Sequence, residues 1–490
     1  MITIIIFLYL ALVLSIGFLS HKLFRGTGED YFIASRTIGP FVLLMSLFGT
    51  HMTAFSILGA SGEAYHRGIG VFALMASSSA IVIPTVFYLV GTRLWDVGKR
   101  LGYLTQVQYF RERWQSESLG IILFVVLVAL LVPYLLIGVM GGGITLNTMT
   151  GGTIPGWVGG LIICAIIFTY VSTSGLRGTA WVNTFQTLVF MILGGAAFFV
   201  IVSKLGGLDA VISKINEQNP ELLVRGGKMS PLEMLTYTCI PLSVGMFPHM
   251  FMHWLSAKSA NTFKAPLIFY PICVMIVWVP SVLLGIMGTI DFAGLQGPEA
   301  NSVLIQMVAH YAPGVLGGFL AAGVLAAIMS SLDSQTLSIG TMFTLDIVRH
   351  YGYGNKLDEK QQVLFGRIFV LIILIVTFLI SLVSQRSIFK LAVWSFTGFA
   401  GLLPLAIGAI FWKRSTKIGA LACVFTVAIL WVYYFIQGWG TPRYTVGGIG
   451  IMPAAAILVA SSAAMIIGSL LTKPPEEPVL KKFFPSVGSH

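Results

Sequence analysis

Residues 323–334, Gly-Val-Leu-Ala-Ala-Ile-Met-Ser-Ser-Leu-Asp-Ser, set three hydroxyls and one carboxylate inside a run of apolar side chains. If the run crosses a membrane, hydrocarbon offers these groups no water, and they must face protein, an ion or a cavity. An ionisable side chain at that depth marks a functional site. The hydroxyls of Ser330, Ser331 and Ser334 and the carboxylate of Asp333 are hard oxygen donors, the type that replaces the hydration shell of a small cation. Ala326, Ala327 and Ser330 are small enough for a neighbouring helix to come close.

Two other apolar runs are interrupted by polar or helix-breaking residues. Segment 38–62 carries Gly49, Thr50, His51 and Thr53 among Leu and Phe, and segment 232–257 carries Cys-Ile-Pro-Leu-Ser-Val-Gly-Met-Phe-Pro-His at 239–249. The plainer explanation is that Pro241 and Pro248 merely kink a helix. However, the two segments lie five apart, and each would open a block of five helices. Consecutive blocks of odd length run in opposite senses across a membrane, and paired interruptions in corresponding positions point to a transport site.

The elements that must position these residues are a set of membrane helices. Of the 490 residues, 56% are hydrophobic and 10% charged, where a soluble domain carries about 25% charge. Thirteen apolar segments lie near 2–20, 38–62, 69–92, 118–148, 155–173, 181–204, 232–257, 265–290, 313–346, 364–384, 388–412, 416–437 and 447–472. The first lacks a basic n-region and an A-x-A cleavage site, so it reads as a retained helix. Cys164, Cys239, Cys273 and Cys423 all fall in apolar runs without metal-ligand spacing and read as buried small hydrophobes.

Alternate loops divide the 29 Lys and Arg into a rich set and a poor set. The rich set includes Lys22, Arg25, Arg36, Arg93 to Arg113, Arg177, Lys356 and Lys413. The poor set is Arg67, Lys204, Lys214, Arg225, Lys228, Arg386, Lys390 and Arg443. The positive-inside rule puts the rich set and the C-terminus in the cytoplasm and the N-terminus outside. The net charge of +11 therefore follows from topology, and no clustered basic face suggests nucleic acid. Trp95, Trp157, Trp181, Trp412 and Trp439 stand at span ends, as an interfacial belt would.

Four motifs resemble one known family, the sodium:solute symporters. Gly28-Glu-Asp-Tyr-Phe-Ile-Ala-Ser-Arg36 is similar to the segment before the second span of that family. Tyr170-Val-Ser-Thr-Ser-Gly-Leu-Arg177 with Trp181-Val-Asn-Thr-Phe-Gln186 resembles its glycine-rich loop and following helix. Leu325 to Ser334 with Thr344-Leu-Asp-Ile347 resembles its ion-site helix. Phe247-Pro-His-Met with Leu255-Ser-Ala-Lys-Ser259 resembles its proline, pantothenate and monocarboxylate branches. The resemblance implies an all-α membrane protein with a leucine-transporter-type inverted repeat, one helix before it and two after. A single transporter domain would fill 1–472, with repeats of about 38–204 and 232–412, followed by a short cytoplasmic tail, 473–490.

The resemblance also implies a sodium site built from the carbonyls of Gly49, Met52 and Ala327 and the hydroxyls of Ser330 and Ser331. Some members hold a second sodium, and the corresponding positions here are Asp333, Ser334 and Asn183. The carboxylate has moved from one helix to another. Either a second site persists with Asp333 as its charge, or one sodium is bound. His51 stands where proline-type members carry an aspartate. An imidazole offers sodium no anionic oxygen, but it can donate to a carboxylate or carry a proton, or be an ordinary hydrogen-bonded core residue.

These residues imply a sodium-coupled symporter that imports a small organic solute across the cell membrane. The lipid bilayer, sodium and the solute are its only expected partners. Candidate solute contacts are His51, Thr53, Phe55, Tyr134, Phe247 and His249, with Met246 and Trp394 nearby. Aromatic walls and neutral donors suit a carboxylate-bearing solute: a monocarboxylate, an amino acid or a pantothenate-like acid. Proton coupling through His51 and Asp333 is the alternative within the same fold. An integral-membrane transferase with a His/Asp pair would need a third polar group that the sequence does not supply. No GxxxxGK[ST] loop supports ATP-driven transport.

Overall fold

Every long apolar run in the described sequence is helical, because in hydrocarbon only a helix satisfies all its own backbone N–H and C=O groups. The computed structural model describes residues 1–20, 34–224, 228–312, 314–352, 358–384, 386–441 and 443–484. The first six residues of the motif at 28–36, together with Lys22, Arg25, Arg225 and Lys356, lie outside the described residues, as do the last six residues of the expected tail. Among the described residues no strand forms, only two isolated bridges.

Among the described residues, eleven helices are long and apolar enough to cross a membrane, and a bent pair adds a twelfth. In chain order the elements are α1 (Ile2–Ser20) and the bent pair α2 (Pro40–His51) and α3 (Phe55–Arg67), which meet at 59°. Next come α4 (Gly70–Leu101), the short α5 (Gln106–Trp114) and α6 (Glu117–Met149). Then follow α7 (Gly156–Thr173) and α8 (Gly175–Lys204), with surface helix α9 (Leu208–Gln218). The second half holds α10 (Pro231–Tyr237), α11 (Pro248–Ser256), α12 (Ala260–Asp291) and the short α13 (Val303–Tyr311). It continues with α14 (Val315–Arg349), α15 (Lys360–Val383), α16 (Ile388–Phe411), α17 (Lys417–Gly438) and α18 (Pro453–Leu470), and closes with α19 (Glu477–Phe483).

The segment expected at 232–257 accounts for the difference between thirteen and twelve. It is not a long helix but α10, a 3-10 stretch Ile240–Gly245 and α11. Pro241 and Pro248 each begin a new piece, since proline lacks the N–H that would continue the preceding one. The segments expected at 155–173 and 181–204 meet without an intervening loop, at Gly175. Its φ of 59° and ψ of −170° lie in a region that only glycine adopts without strain.

The two broken segments are antiparallel neighbours. Near the start of one and the end of the other, the Ile38 N–H donates to the Ser256 carbonyl and the Lys258 N–H to that of Ile38, both at 3.0 Å. At the opposite ends, Arg67 of α3 donates to Glu233 of α10 at 2.7 Å. Motif arginines fasten the first of these faces. Arg36 donates to the carbonyls of Gly98, Tyr103 and Leu255, and Arg177 to that of Ala34.

Burial separates core from rim. In the most apolar windows of α14 and α16, 83% of residues are buried, against 28% in α1 and α17 and 22% in α15. α14 therefore runs through the centre, packed against α1, α2, α6, α8 and α11. Trp157, Trp181 and Trp439 are exposed as expected of a belt, but Trp95 is not: it is buried, and its indole N–H donates to the Ala257 carbonyl at 2.9 Å. Cys164, Cys273 and Cys423 are buried and Cys239 is half-buried, all without disulfides.

Candidate functional site

The first cluster forms where the break between α2 and α3 meets α14. Helix α2 ends at His51, and Met52 turns to an extended ψ of 105°, so carbonyls of the last turn lose their helical partners. The Ser330 hydroxyl lies 2.9 Å from the Gly49 carbonyl and 3.1 Å from that of Ala327. Back-bonding within α14 explains the second contact; the first joins two helices 281 positions apart. Glycine at 49 also lets α8 pack closely against the break: a Cβ there would stand 2.1 Å from Thr187 Oγ1. The next hydroxyl, Ser331, bonds the Ile328 carbonyl at 3.0 Å. Three of the five oxygens expected at the sodium site thus share one junction, with Ser331 adjacent on the same turn and Met52 at the break.

The second cluster lies one turn further along α14 and brings together all three expected residues. Tyr170 donates to Asp333 Oδ2 at 2.8 Å, and Ser334 donates to Asp333 Oδ1 at 3.1 Å. The Asn183 amide donates to Ser334 at 2.7 Å, and His253 Nε2 stands 3.3 Å from the same oxygen. Asp333 is fully buried, and among the described residues no Lys or Arg forms an ion pair with it. A buried carboxylate held only by neutral donors carries an uncompensated charge worth several kcal/mol. A cation or a proton at that position would remove it. His253 is fully buried, because α11 packs against α14. Sequence reasoning missed it, along with Tyr170 as a partner of Asp333. Tyr170 heads the quoted glycine-loop motif, and that was the available signal.

The expected solute residues form a chamber of rings beside these clusters. Tyr134 packs against Phe247, His249 and Phe396 with centroids 5.4, 5.7 and 4.9 Å apart. Phe247 stacks on His249 at 5.1 Å, and Phe55 meets Phe396 at 5.2 Å. His51 lies 6.2 Å from Phe247, and its Nδ1 is hydrogen-bonded to the Tyr270 hydroxyl. A small cavity beneath it is bordered by Phe55, Tyr237, Trp278 and Phe396. The Tyr134 hydroxyl, both His249 nitrogens and the Trp278 N–H have no hydrogen-bond partner among the described residues. Buried polar atoms of this kind are rare unless something else meets them, so the chamber holds neutral hydrogen-bonding groups in an aromatic wall.

Two further expected residues make other contacts. The Thr53 hydroxyl accepts from the Phe55 N–H at 3.0 Å and so caps the restart of the helix after the break. Trp394 borders a separate cavity of about 540 Å³ together with Arg67, Glu233, Tyr237, Arg386 and Lys390. Phe396, Tyr270 and Trp278 were not anticipated, since nothing in their sequence neighbourhoods distinguishes them from ordinary core aromatics.

The whole chain has relatives. The profile of the sodium:solute symporter family matches residues 31–426. The osmoregulated proline transporter of Bacillus subtilis (strain 168) is 24% identical over 464 residues, covering 93% of this chain and 92% of that protein. The sodium/pantothenate symporter of Escherichia coli (strain K12) is 26% identical over 471 residues, covering 93% and 94%. Among solved structures, a substrate-bound, outward-open Na+-coupled sialic acid symporter superposes with a TM-score of 0.80 at 17% identity, covering 97% of this chain and 98% of that one. The nucleobase-cation-symport-1 transporter Mhp1 in a closed conformation gives 0.58 at 14% identity, with coverage of 92% and 97%.

Proposed function

Because the chain belongs to the sodium:solute symporter family and is a multi-pass membrane protein with the fold of sodium-coupled transporters, we propose that sodium drives its import of a small carboxylate-bearing solute. The observation that carries this reading is the junction of Ser330 with the Gly49 and Ala327 carbonyls. A broken helix supplies free carbonyls there, and α14 supplies hydroxyls, so a small cation would find an oxygen shell with its desolvation offset. Sodium at Gly49, Met52, Ala327, Ser330 and Ser331 would hold the break between α2 and α3 in one geometry. His51 sits at that break, so ion binding would set the chamber that takes the solute. This gives sodium a differential effect on solute affinity, which coupling requires.

The inverted repeat, about 38–204 and 232–412, is supported by the antiparallel arrangement of the two broken segments. The basic-residue asymmetry favours an outside N-terminus and a cytoplasmic C-terminus. Contacts between loops agree with that sorting. Residues 66 and 67 meet 228 and 233, and Arg100 meets Lys482; each pair falls in one set. A cysteine at Gln218 should label from outside and one at Lys99 only after permeabilisation; reversed labelling would overturn the orientation.

Asp333 favours one further reading. Its unpaired charge suits a second cation, held with Ser334 and Asn183, or a proton moved with the solute. A thermal-shift titration of the full chain with lactate, pantothenate and proline, with and without sodium, tests the main reading. Each ligand that binds the folded state stabilises it by mass action. The expected result is stabilisation by sodium alone and a larger shift by a carboxylate probe in its presence. Shifts by the probe that ignore sodium but follow pH would favour the proton.

A further inference from the structure

The cavity of about 540 Å³ lies on the face that the basic-residue asymmetry assigns to the outside. Its wall carries Arg67, Arg386, Lys390 and Arg443 against two carboxylates, Glu63 and Glu233. Arg67 holds both carboxylates, at 3.3 and 2.7 Å. The other three cations have no carboxylate partner among the described residues. Arg386 lies 4.3 Å over the Trp439 ring, and the Lys390 ammonium donates to the Thr441 carbonyl. Ring faces and carbonyls position these groups without cancelling their charge. A concave, partly apolar wall with excess charge of one sign focuses its field and concentrates ions of the other sign.

A single layer of rings separates this cavity from the chamber. Phe389 packs on Tyr237 at 6.4 Å and on Phe55 at 5.0 Å. Tyr237 borders both this cavity and the small one beneath His51. On the chamber side, the named polar groups are imidazole, phenol and indole, with no carboxylate among them. Asp333 lies with Tyr170 and Ser334 and borders neither the outer cavity nor the small one beneath His51. For the ammonium of a zwitterion the outer cavity offers only Glu63 and Glu233, both already held by Arg67.

We propose that the outer cavity is a second binding station for the solute, where Arg386, Lys390 and Arg443 select a net anion before it passes Tyr237 and Phe389 to His51. The inference rests on reading the chamber as the solute site, and it narrows the solute to a carboxylate without a compensating ammonium. Trp394 and Tyr444, also on the wall, would meet its apolar part.

The test uses full-length protein in proteoliposomes, with lactate and pantothenate as anionic probes and proline as the zwitterion. Initial uptake is measured at about 0.01 M and about 0.1 M ionic strength, with sodium constant, so the screening length falls from about 30 to about 10 Å. Wild-type KM for the anions should rise with salt. The triple variant R386Q/K390Q/R443Q should raise that KM roughly tenfold at low salt and lose the salt dependence. Stabilisation by sodium alone should be kept, which controls for folding, and R386K/R443K should retain most of the wild-type behaviour. A triple variant with wild-type KM and salt dependence for the anions overturns the outer station and leaves the chamber reading intact. A wild type that responds to proline and to neither anion overturns the inference through its premise.

Discussion

Under the proposed orientation, the outer and inner faces are closed by different means. On the outer face, a cavity of about 540 Å³ reaches down to one layer of rings at Tyr237 and Phe389. The inner face is sealed by α5 and the tail. Gln106 donates to the carbonyl of Met246 at 3.2 Å, inside the second break, and Thr105 to Asp346 at 2.9 Å. The fully buried Arg113 donates to the carbonyls of Ala409 and Trp412 and to the Ser415 hydroxyl. Over this lies α19, with Phe483 against Tyr103 and Tyr109 and Lys482 3.4 Å from Glu112. The inner seal is a network of buried hydrogen bonds spanning several helices, whereas the outer closure is one aromatic layer braced by Arg67. Under the proposed orientation, opening inward must break more than opening outward.

Removing Arg113 should have the largest effect. Arg113→Leu strands the Ala409 carbonyl, while the Trp412 carbonyl keeps the Ser415 N–H and the Ser415 hydroxyl keeps Trp114 and Gly408, and should lower stability by about 1–3 kcal/mol. A cysteine placed at Gln106 should become reactive from the inner face; a variant as stable and closed as the parent would remove α5 from the seal. Arg67→Gln should come next, at about 1–2 kcal/mol, because Glu63 and Glu233 lose their shared cation. Its signature is faster labelling of outer positions with inner ones unchanged, and a shift at both faces would break the proposed independence.

Between the faces, His51→Ala should weaken solute binding roughly tenfold, about 1.4 kcal/mol, while sodium alone still stabilises the protein. His51→Gln should keep part of the affinity. Calorimetry at saturating sodium decides: unchanged affinity in the alanine variant would make His51 only a partner of Tyr270. The smallest effect belongs to the tail. Phe483→Ala should cost about 1 kcal/mol or less and raise inner-face labelling slightly, without altering the outer face.

The sequence made the central elements legible where chemistry conflicted with environment. Ser330, Ser331, Asp333 and Ser334 stood out because hydroxyls and a carboxylate do not belong in an apolar run, and the structure brings Asn183 to the last two. The broken segments were readable from Gly49, Pro241 and Pro248, since glycine and proline weaken or end helices, and from His51 as a polar residue in an apolar run. What was hidden was pairing across distance. Tyr170 meets Asp333 across 163 positions and Tyr270 meets His51 across 219; no local pattern records such contacts. A hydroxyl at a helix break, such as that of Thr53, looks the same in sequence whether it caps the backbone or meets a ligand. The outer cavity was invisible for a further reason: its cations come from three separate stretches of the chain, each of which alone reads only as a topological signal.

Equilibrium binding of radioactive sodium to the purified full-length chain, in wild type and Ser330→Ala, tests the central claim most directly. It requires no knowledge of the solute. Alanine suits a helix interior, so the variant should fold while losing the one hydroxyl that joins α14 to the Gly49 carbonyl. The account expects saturable binding in the wild type and an affinity at least roughly tenfold weaker in the variant, equivalent to about 1.4 kcal/mol. Saturable binding of equal affinity in both proteins, or none in the wild type, would contradict it.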